Sequence, residues 1–156
     1  MAGAESMVMR KWDRARGSAL GRWLFSRGVG RFAPYTGTIG ARVQELEPGR
    51  SVVTMRDRKA VRNHLNSVHA VALTNLIELC GSLSIIASLP PDTRMIPVRL
   101  ETDFIKKGRG LMTAEASCLI PASNEKAELP ATVVVRDGEG DEVARGRVTV
   151  VIGPTE

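Results

Sequence analysis

The chain contains one long apolar run of 23 residues, Ser67–Leu89, in which Glu78 is the only carboxylate. The run is apolar nearly all round, which is typical of a helix buried at the centre of a domain. Its length would also suffice for a membrane span, but Glu78 stands at its middle, and several amides and hydroxyls dilute it. Pro90-Pro91-Asp92 then ends the run. We therefore predict a long, buried central helix.

A second helical pattern, Arg10–Arg27, lies near the N-terminus. Apolar residues recur there at every third or fourth position and include both tryptophans, while the opposite face carries Arg and Lys. Gly28 and Gly30 are expected to end this helix. Two interpretations are open: a surface helix that packs its tryptophans on the core, or a basic amphipathic helix that makes peripheral contact with a membrane or covers a ligand site. Residues 1–36 are taken as this N-terminal helix and the turn after it.

Alternating apolar and polar residues predict strands on both sides of the central helix. Residues 39–43 alternate in this way, and a turn at Glu47–Arg50 leads into a second strand, Ser51–Arg56. After the central helix, four more segments have strand character: Arg94–Ile105, Leu111–Ile120, Ala131–Arg136 and Glu142–Ile152. For residues 37–153 we expect an α+β domain in which an antiparallel sheet wraps the helix and the last four strands form a meander.

Composition narrows the class of protein. The chain has 156 residues, 43% hydrophobic and 25% charged, as expected of one globular domain. A net charge of +5 and a pI of about 9.8 favour an anionic partner, but aromatic residues make up only 4%, too few for base stacking, so no nucleic acid is expected. Two cysteines and two histidines give no metal-ligand spacing, and we expect reduced thiols, no metal and no cofactor. The first residues lack the apolar core of a signal peptide, so a cytoplasmic location is expected.

The segment 63–78 holds most of the candidate chemistry, because it contains both histidines, two amides and the isolated Glu78 at or within the start of the central helix. The first N–H groups of a helix have no partner inside it and favour negative charge. A carboxylate in an apolar helix is costly unless it is paired or used, so Glu78 either meets water or a cation or has a function. Asn63 could cap a turn, and His69 could be a hydrogen-bonded core histidine.

This segment resembles the active-site region of hotdog-fold thioesterases of the phenylacetate-degradation type, which hydrolyse acyl-CoA. Their motif Asn-x5-His-Gly-Gly is followed by Asp or Glu nine residues after the His, and Asn63, His69 and Glu78 match both spacings. The chain is closer still to a branch with the pattern Asn-His-x4-His-Ala-x-Ala-Leu-x-Asn-Leu-x-Glu. Residues 99–110 resemble the strand that follows in the family, and the likeness covers residues 37–153. It implies a hotdog fold and an enzyme that hydrolyses thioesters.

The resemblance also implies a role for each motif residue. Glu78 would be the base or the nucleophile, and the Ala70 N–H would receive the oxyanion. Asn63 would position water or the thioester, while His69 would hold the loop or polarise the carbonyl. Ala70-Val71 replaces the usual Gly-Gly. The Ala70 N–H can still donate, whereas Val71 is expected to narrow the approach to it.

Helix geometry adds a constraint on this site. Ala70 and Glu78 are eight residues apart, about 12 Å along one helix, so one Glu side chain cannot reach a reacting atom held at Ala70 of the same chain. A shared site then needs two subunits, which agrees with the hotdog dimer, or dimer of dimers, that the resemblance implies.

The basic charge fits the phosphates of CoA, and the expected clamp consists of Lys106, Lys107 and Arg109 with Arg94 or Arg99. The alternative is that these cations form a solvated turn.

Two other functions fit parts of the same sequence. A hotdog dehydratase has its His fourteen residues before its Glu, a spacing that His64 and Glu78 match, but the His-Phe-Pro-Gly and Pro-Gly elements of that class are absent from the chain. A non-catalytic protein that binds acyl-CoA or acyl groups would need the pocket and not the carboxylate. We therefore expect an acyl-CoA thioesterase, with the acyl-binding protein as the main alternative.

Overall fold

The computed structural model describes residues 6–155, which contain four α-helices and one six-stranded antiparallel sheet. A short 3-10 turn, Lys59–Val61, lies before the longest helix. The helices are α1 (Met7–Ala15), α2 (Ala19–Phe32), α3 (Pro34–Gly37) and α4 (Ala70–Ser88). The strands are β1 (Arg42–Glu47), β2 (Arg50–Arg56), β3 (Thr93–Phe104), β4 (Leu111–Cys118), β5 (Ala127–Arg136) and β6 (Glu142–Pro154). The predicted α+β architecture is confirmed.

Helix α4 forms the centre of the core, as the apolar run predicts. Fourteen of its 19 residues are buried, and it packs against β2, β4, β5 and β6. Its length and composition would permit a membrane span, yet most of its surface is covered by the rest of the domain. The hydroxyls on its buried face are satisfied within the helix, since Ser84 and Ser88 donate to carbonyl oxygens of Gly81 and Ser84.

The strand order is β1-β2-β4-β5-β6-β3, so the expected meander of the last four strands is wrong for β3. This strand pairs with β6 and forms an edge of the sheet, and the chain then crosses to insert β4 between β2 and β5. Burial explains why β4 lies inside the sheet and β3 at its edge. In β4, Met112, Ala114 and Ala116 are fully buried and need a central position, whereas every residue of β3 is exposed or half-buried.

The N-terminal region forms two helices where one was predicted. Helix α1 ends at Ala15, and the Ser18 hydroxyl caps α2 by accepting from the Gly21 N–H at 2.9 Å. Gly28 and Gly30 lie inside α2 and do not end it. At Gly30 a Cβ atom would lie 3.0 Å from the Cα of Gly37, so this glycine permits the close approach of α3. The cap at Ser18 and this contact outweigh the low helix propensity of glycine.

The two tryptophans of this region behave differently. Trp12 is buried in the core, and its ring meets that of Phe25 edge to face at a centroid separation of 5.1 Å. Trp23 is half-buried and lies under the guanidinium of Arg27, 5.0 Å from its ring centroid. Trp12 therefore packs on the core, as the first of the two interpretations predicts. The outer face of α2 carries basic side chains.

Both cysteines are free thiols. Cys80 is fully buried on α4, and this burial raises its pKa to about 12. The Ser51 hydroxyl of β2 donates to the Cys80 carbonyl oxygen at 2.7 Å and so joins the sheet to the helix. A thiol with so high a pKa is a weak nucleophile, and Cys80 is a core residue.

Gly146 of β6 lies at a close contact between the sheet and α4. A Cβ atom added there would be 2.5 Å from the Glu101 carbonyl oxygen of β3 and 2.8 Å from the Ile77 side chain of α4. The neighbouring backbone oxygen cannot move without disturbing the β3–β6 pairing. This position therefore tolerates no side chain without a shift of a strand.

Gly146→Ala is expected to lower the free energy of unfolding by about 1–3 kcal/mol through overpacking, measured by urea denaturation. Gly153→Ala is the matched control in the same strand, because a Cβ there meets nothing within 4 Å. Equal stability of the two variants would contradict this account of the helix-sheet contact.

Candidate active site

His69 fixes the start of α4. Its ring Nδ1 accepts a hydrogen bond from the Val71 N–H at 3.0 Å, so the histidine is the N-cap of the helix. The backbone N–H of His69 donates to the Val61 carbonyl oxygen at 2.8 Å, and the backbone carbonyl oxygen of His69 accepts from the Leu73 N–H at 3.1 Å. Of the two roles that the resemblance implies for His69, these contacts favour holding the loop.

The Ala70 N–H is left without an acceptor among residues 6–155. As the first residue of α4, Ala70 lies where the helix dipole and the unpaired N–H groups favour negative charge. A pocket of about 220 Å³ opens beside it. The lining combines the loop before α4 with the loop after β3: Asn63, Leu65, Ser67, Val68, Ala70, Leu73, Phe104, Ile105, Lys106, Lys107 and Gly108. We call it the α4 pocket.

Asn63 shapes the wall of the α4 pocket. Its side-chain oxygen accepts from the Leu65 N–H at 3.0 Å and from the Ser67 N–H and hydroxyl at 3.2 Å each. With this oxygen already engaged, Asn63 can offer a substrate only its amide N–H groups. Asn66 turns the same loop with a positive φ of 58°, a region that asparagine tolerates.

Asp57 and Arg62 hold the segment before α4 in place without lining the α4 pocket. The sequence analysis did not identify them. The Arg62 guanidinium donates to the Asp57 carboxylate at 2.6 Å, and this hydrogen bond holds the pKa of Asp57 below its usual range. Asp57 also accepts from the Gly110 N–H at 3.1 Å, and Arg62 donates to the Asn66 amide oxygen at 3.3 Å. Arg62 thus holds Asp57 within the segment before α4, and the hydrogen bond from Gly110 to Asp57 ties that segment to the loop after β3. No periodic pattern marks the irregular segment in which both residues lie.

Glu78 lies on the one side of α4 that the sheet leaves open. Beyond the first turn, Thr74, Glu78 and Ile86 are the half-buried residues of the helix, and the rest of it is buried. The Ser82 hydroxyl donates to Glu78 Oε1 at 2.9 Å. Glu78 does not line the α4 pocket, and its distance from Ala70 along the helix remains about 12 Å.

Lys106 is already paired within the chain. Its ammonium lies 2.6 Å from the Asp141 carboxylate and 3.0 Å from that of Asp137, and these hydrogen bonds raise its pKa. The charge of Lys106 is thus used to join the loop after β3 to the turn between β5 and β6. Lys107 and Arg109 lie on the same loop with exposed side chains.

The structure does not bring Arg94 to the α4 pocket. Arg94 lies ten residues before Phe104 on β3, which is about 33 Å in an extended strand, and it pairs opposite Gly153 near the other end of the sheet. Arg99 lies about 17 Å from Phe104 by the same measure. Of the five predicted clamp residues, the structure therefore places Lys106, Lys107 and Arg109 together and leaves Arg94 and Arg99 apart.

His64 and Val71 also differ from expectation in their positions. His64 is exposed on the loop and is not part of the lining of the α4 pocket. The Val71 side chain lines a separate pocket with His69, Tyr35 and Arg62, so it does not narrow the approach to the Ala70 N–H from the α4 pocket.

A long central helix wrapped by a six-stranded antiparallel sheet defines a protein of the hotdog fold. A model of the family described as domain of unknown function DUF4442 matches residues 21–152, so the chain belongs to that family. No curated protein matches it.

Solved structures agree with this fold. A structural-genomics protein, APC5556, is 29% identical with a TM-score of 0.80, covering 96% of this chain and 99% of its own. A thioesterase from Haemophilus influenzae is 16% identical with a TM-score of 0.67, covering 77% and 82%. A thioesterase family protein from Silicibacter pomeroyi is 19% identical with a TM-score of 0.70, covering 83% and 96%. The resemblance to hotdog-fold thioesterases is thus confirmed at the level of the fold.

Proposed function

We propose that the protein is an acyl-CoA thioesterase in which the Ala70 N–H receives the oxyanion and Glu78 of a second copy acts as base or nucleophile. The observation that carries this proposal is the unpaired Ala70 N–H at the start of α4, which opens on a pocket beside a basic loop. The thioesterases among the structural neighbours support the same reaction class. The substrate class, acyl-CoA, is our inference from the basic loop.

The second copy is required by distance. Glu78 lies about 12 Å along the helix from Ala70, which is more than a glutamate side chain spans. Strand β3 offers the surface for association, since it is a sheet edge whose outer backbone groups have no partner strand among the described residues. It also exposes Ile96, Val98 and Leu100. Edge-to-edge pairing of β3 with its copy would satisfy these backbone groups and place the apolar side chains beside those of the copy, giving a homodimer or a dimer of such dimers.

The proposed reaction needs a nucleophile and an oxyanion donor. With Glu78 as base, its carboxylate takes a proton from water, the water oxygen bonds to the thioester carbon, and the oxyanion accepts from the Ala70 N–H. The carbon-sulfur bond then breaks, and the CoA thiolate takes the proton back from Glu78. With Glu78 as nucleophile, its oxygen bonds to the thioester carbon, the carbon-sulfur bond breaks and the CoA thiolate leaves, which gives an anhydride. Water then hydrolyses the anhydride to the acid and the Glu78 carboxylate, and its second proton goes to the thiolate. Asn63 keeps the loop in shape and can donate its amide N–H to the substrate or water.

Glu78→Gln is expected to lower kcat for acyl-CoA hydrolysis by about a hundredfold or more, on the order of 3 kcal/mol in the barrier. The variant keeps the shape of the side chain and its contact with Ser82 but removes the charge that takes the proton. Glu128→Gln is the matched control, because Glu128 is exposed on β5 and should keep full activity. The measurement is steady-state kinetics across acyl chain lengths.

Retention of full kcat by Glu78→Gln would make the carboxylate structural and refute its assigned role. A wild-type protein that binds acyl-CoA without hydrolysing any chain length would establish the alternative, an acyl-binding protein. A dehydratase using His64 and Glu78 is not favoured, because the His-Phe-Pro-Gly and Pro-Gly elements of that class are absent from the chain. Formation of an unsaturated acyl-CoA from a hydroxyacyl-CoA would support that function instead.

Lys107 and Arg109 are the proposed contacts of the CoA phosphates, with Lys106 holding their loop through Asp137 and Asp141. Lys107→Ala with Arg109→Ala should raise KM for acyl-CoA about tenfold or more and leave a thioester without the nucleotide unaffected, because only the phosphates lose a cation. Lys106→Ala should impair both substrates, since it releases the loop. Equal losses on both substrates in the Lys107 and Arg109 variant would exclude a phosphate contact.

A further inference from the structure

Helices α1 and α2 form an apolar groove on the outside of the domain. Its volume is about 780 Å³. Most lining residues are apolar, and Lys11 and Arg14 are the only charged ones among them. The full lining is Met7, Val8, Lys11, Arg14, Ala15, Gly21, Leu24, Phe25, Gly28, Val29, Phe32, Leu83 and Ile86. We call it the α1–α2 groove. Its contact with α4 begins at Leu83, about 20 Å along the helix from Ala70, so it is separate from the α4 pocket.

The net charge of the protein is concentrated in the segment that forms this groove. Residues 1–36 contain seven Arg and Lys side chains and two carboxylates, whereas residues 37–156 contain fifteen of each. The whole net charge of +5 therefore belongs to the first 36 residues. Within the described part of that segment, Arg16 with Asp13 is the one ion pair between side chains. The surface around the groove is strongly positive, while the rest of the domain is neutral overall.

The outer faces of both helices mix this charge with exposed apolar side chains. On α1, Met7, Arg10, Lys11 and Arg14 share one face by their spacing of three and four residues. On α2, Leu20 and Leu24 are 65% and 55% exposed, and Phe32 at its end is 94% exposed. Leu, Phe and Met on one surface with Lys and Arg around them are typical of helices that lie in a membrane interface.

We propose that the α1–α2 groove docks on an anionic lipid bilayer surface, with Leu20, Leu24 and Phe32 inserted among the acyl chains and the surrounding cations on the lipid phosphates. Two observations favour a bilayer over other occupants. A second copy would bring one positive surface against another, which like charges oppose. A nucleic acid would satisfy the cations but leave the apolar side chains in water. A bilayer of anionic lipid satisfies both sets of groups.

The test is co-sedimentation of the full chain with vesicles of phosphatidylcholine, with and without phosphatidylglycerol. Binding is expected only to the vesicles with phosphatidylglycerol, and it should weaken as salt is raised because the cations are exposed. No binding to the anionic vesicles would overturn the proposal. Saturable binding of a soluble fatty acid in place of vesicle binding would overturn it too, since the groove would then be a fatty-acid site.

Variants separate the two parts of the proposed surface. Lys11→Gln with Arg14→Gln should weaken vesicle binding roughly 30-fold, because each of the two basic residues contributes about 1 kcal/mol of binding free energy near an anionic surface. Leu24→Ser with Phe32→Ser should also lose binding, because the apolar anchors are removed. Arg56→Gln with Lys126→Gln is the charge-matched control on the neutral part of the domain and should bind as the wild type does. An equal loss in this control, or a change of oligomeric state in the groove variants, would refute the assignment.

Hydrolysis of a soluble thioester should be unchanged in all of these variants, because none of the substituted residues lies in the α4 pocket. The membrane proposal and the proposed thioesterase function therefore fail or succeed independently.

Discussion

The burial of α4 is the constraint from which the rest of the structure follows. A 19-residue helix that is apolar nearly all round needs a cover on most sides, and strands β2, β4, β5 and β6 supply it. Its first N–H groups cannot be paired within the helix, and a polar end cannot be covered in the same way. The loops on either side of it, joined by the hydrogen bond from the Gly110 N–H to Asp57, instead form a pocket around that end.

The same constraint gives Glu78 its importance. A carboxylate on a core helix is tolerated only where it meets water or a partner, and Glu78 occupies the open side of α4 with Ser82 as its hydrogen-bond donor. The Ala70 N–H at the start of the helix and the Glu78 carboxylate at its middle are both open to a ligand. Because they lie about 12 Å apart along the helix, the two groups of one chain cannot contact the same reacting atom. In the proposed dimer, the exposed apolar edge at β3 would bring the two copies together.

Features set by local periodicity were predictable from the sequence. The apolar run gave α4, and the alternation in residues 111–118 gave β4 with Met112, Ala114 and Ala116 on its buried face. Features set by contacts distant along the chain were not. The break before α2 rests on the Ser18 cap, the position of β3 rests on pairing with β6, and the pairing of Lys106 depends on Asp137, which follows it by 31 residues. The resemblance to the thioesterase motif singled out Asn63 and His69 as candidates, but their hydrogen bonds within the loop required the structure.

A complementation measurement tests the composite site most directly. Ala70→Pro removes the N–H with little change of backbone, because proline suits the first helical position and His69 already has φ −66° and ψ 140°, which suit a residue before proline. Ala70→Pro and Glu78→Gln should each be about a hundredfold or more less active than the wild type when tested alone. Mixed in equal amounts and allowed to exchange subunits, they should recover about a quarter of wild-type activity, since half of the dimers would be hybrids with one intact site of two. Hybrid dimers, verified by two tags, that show no activity would contradict a site shared between two subunits.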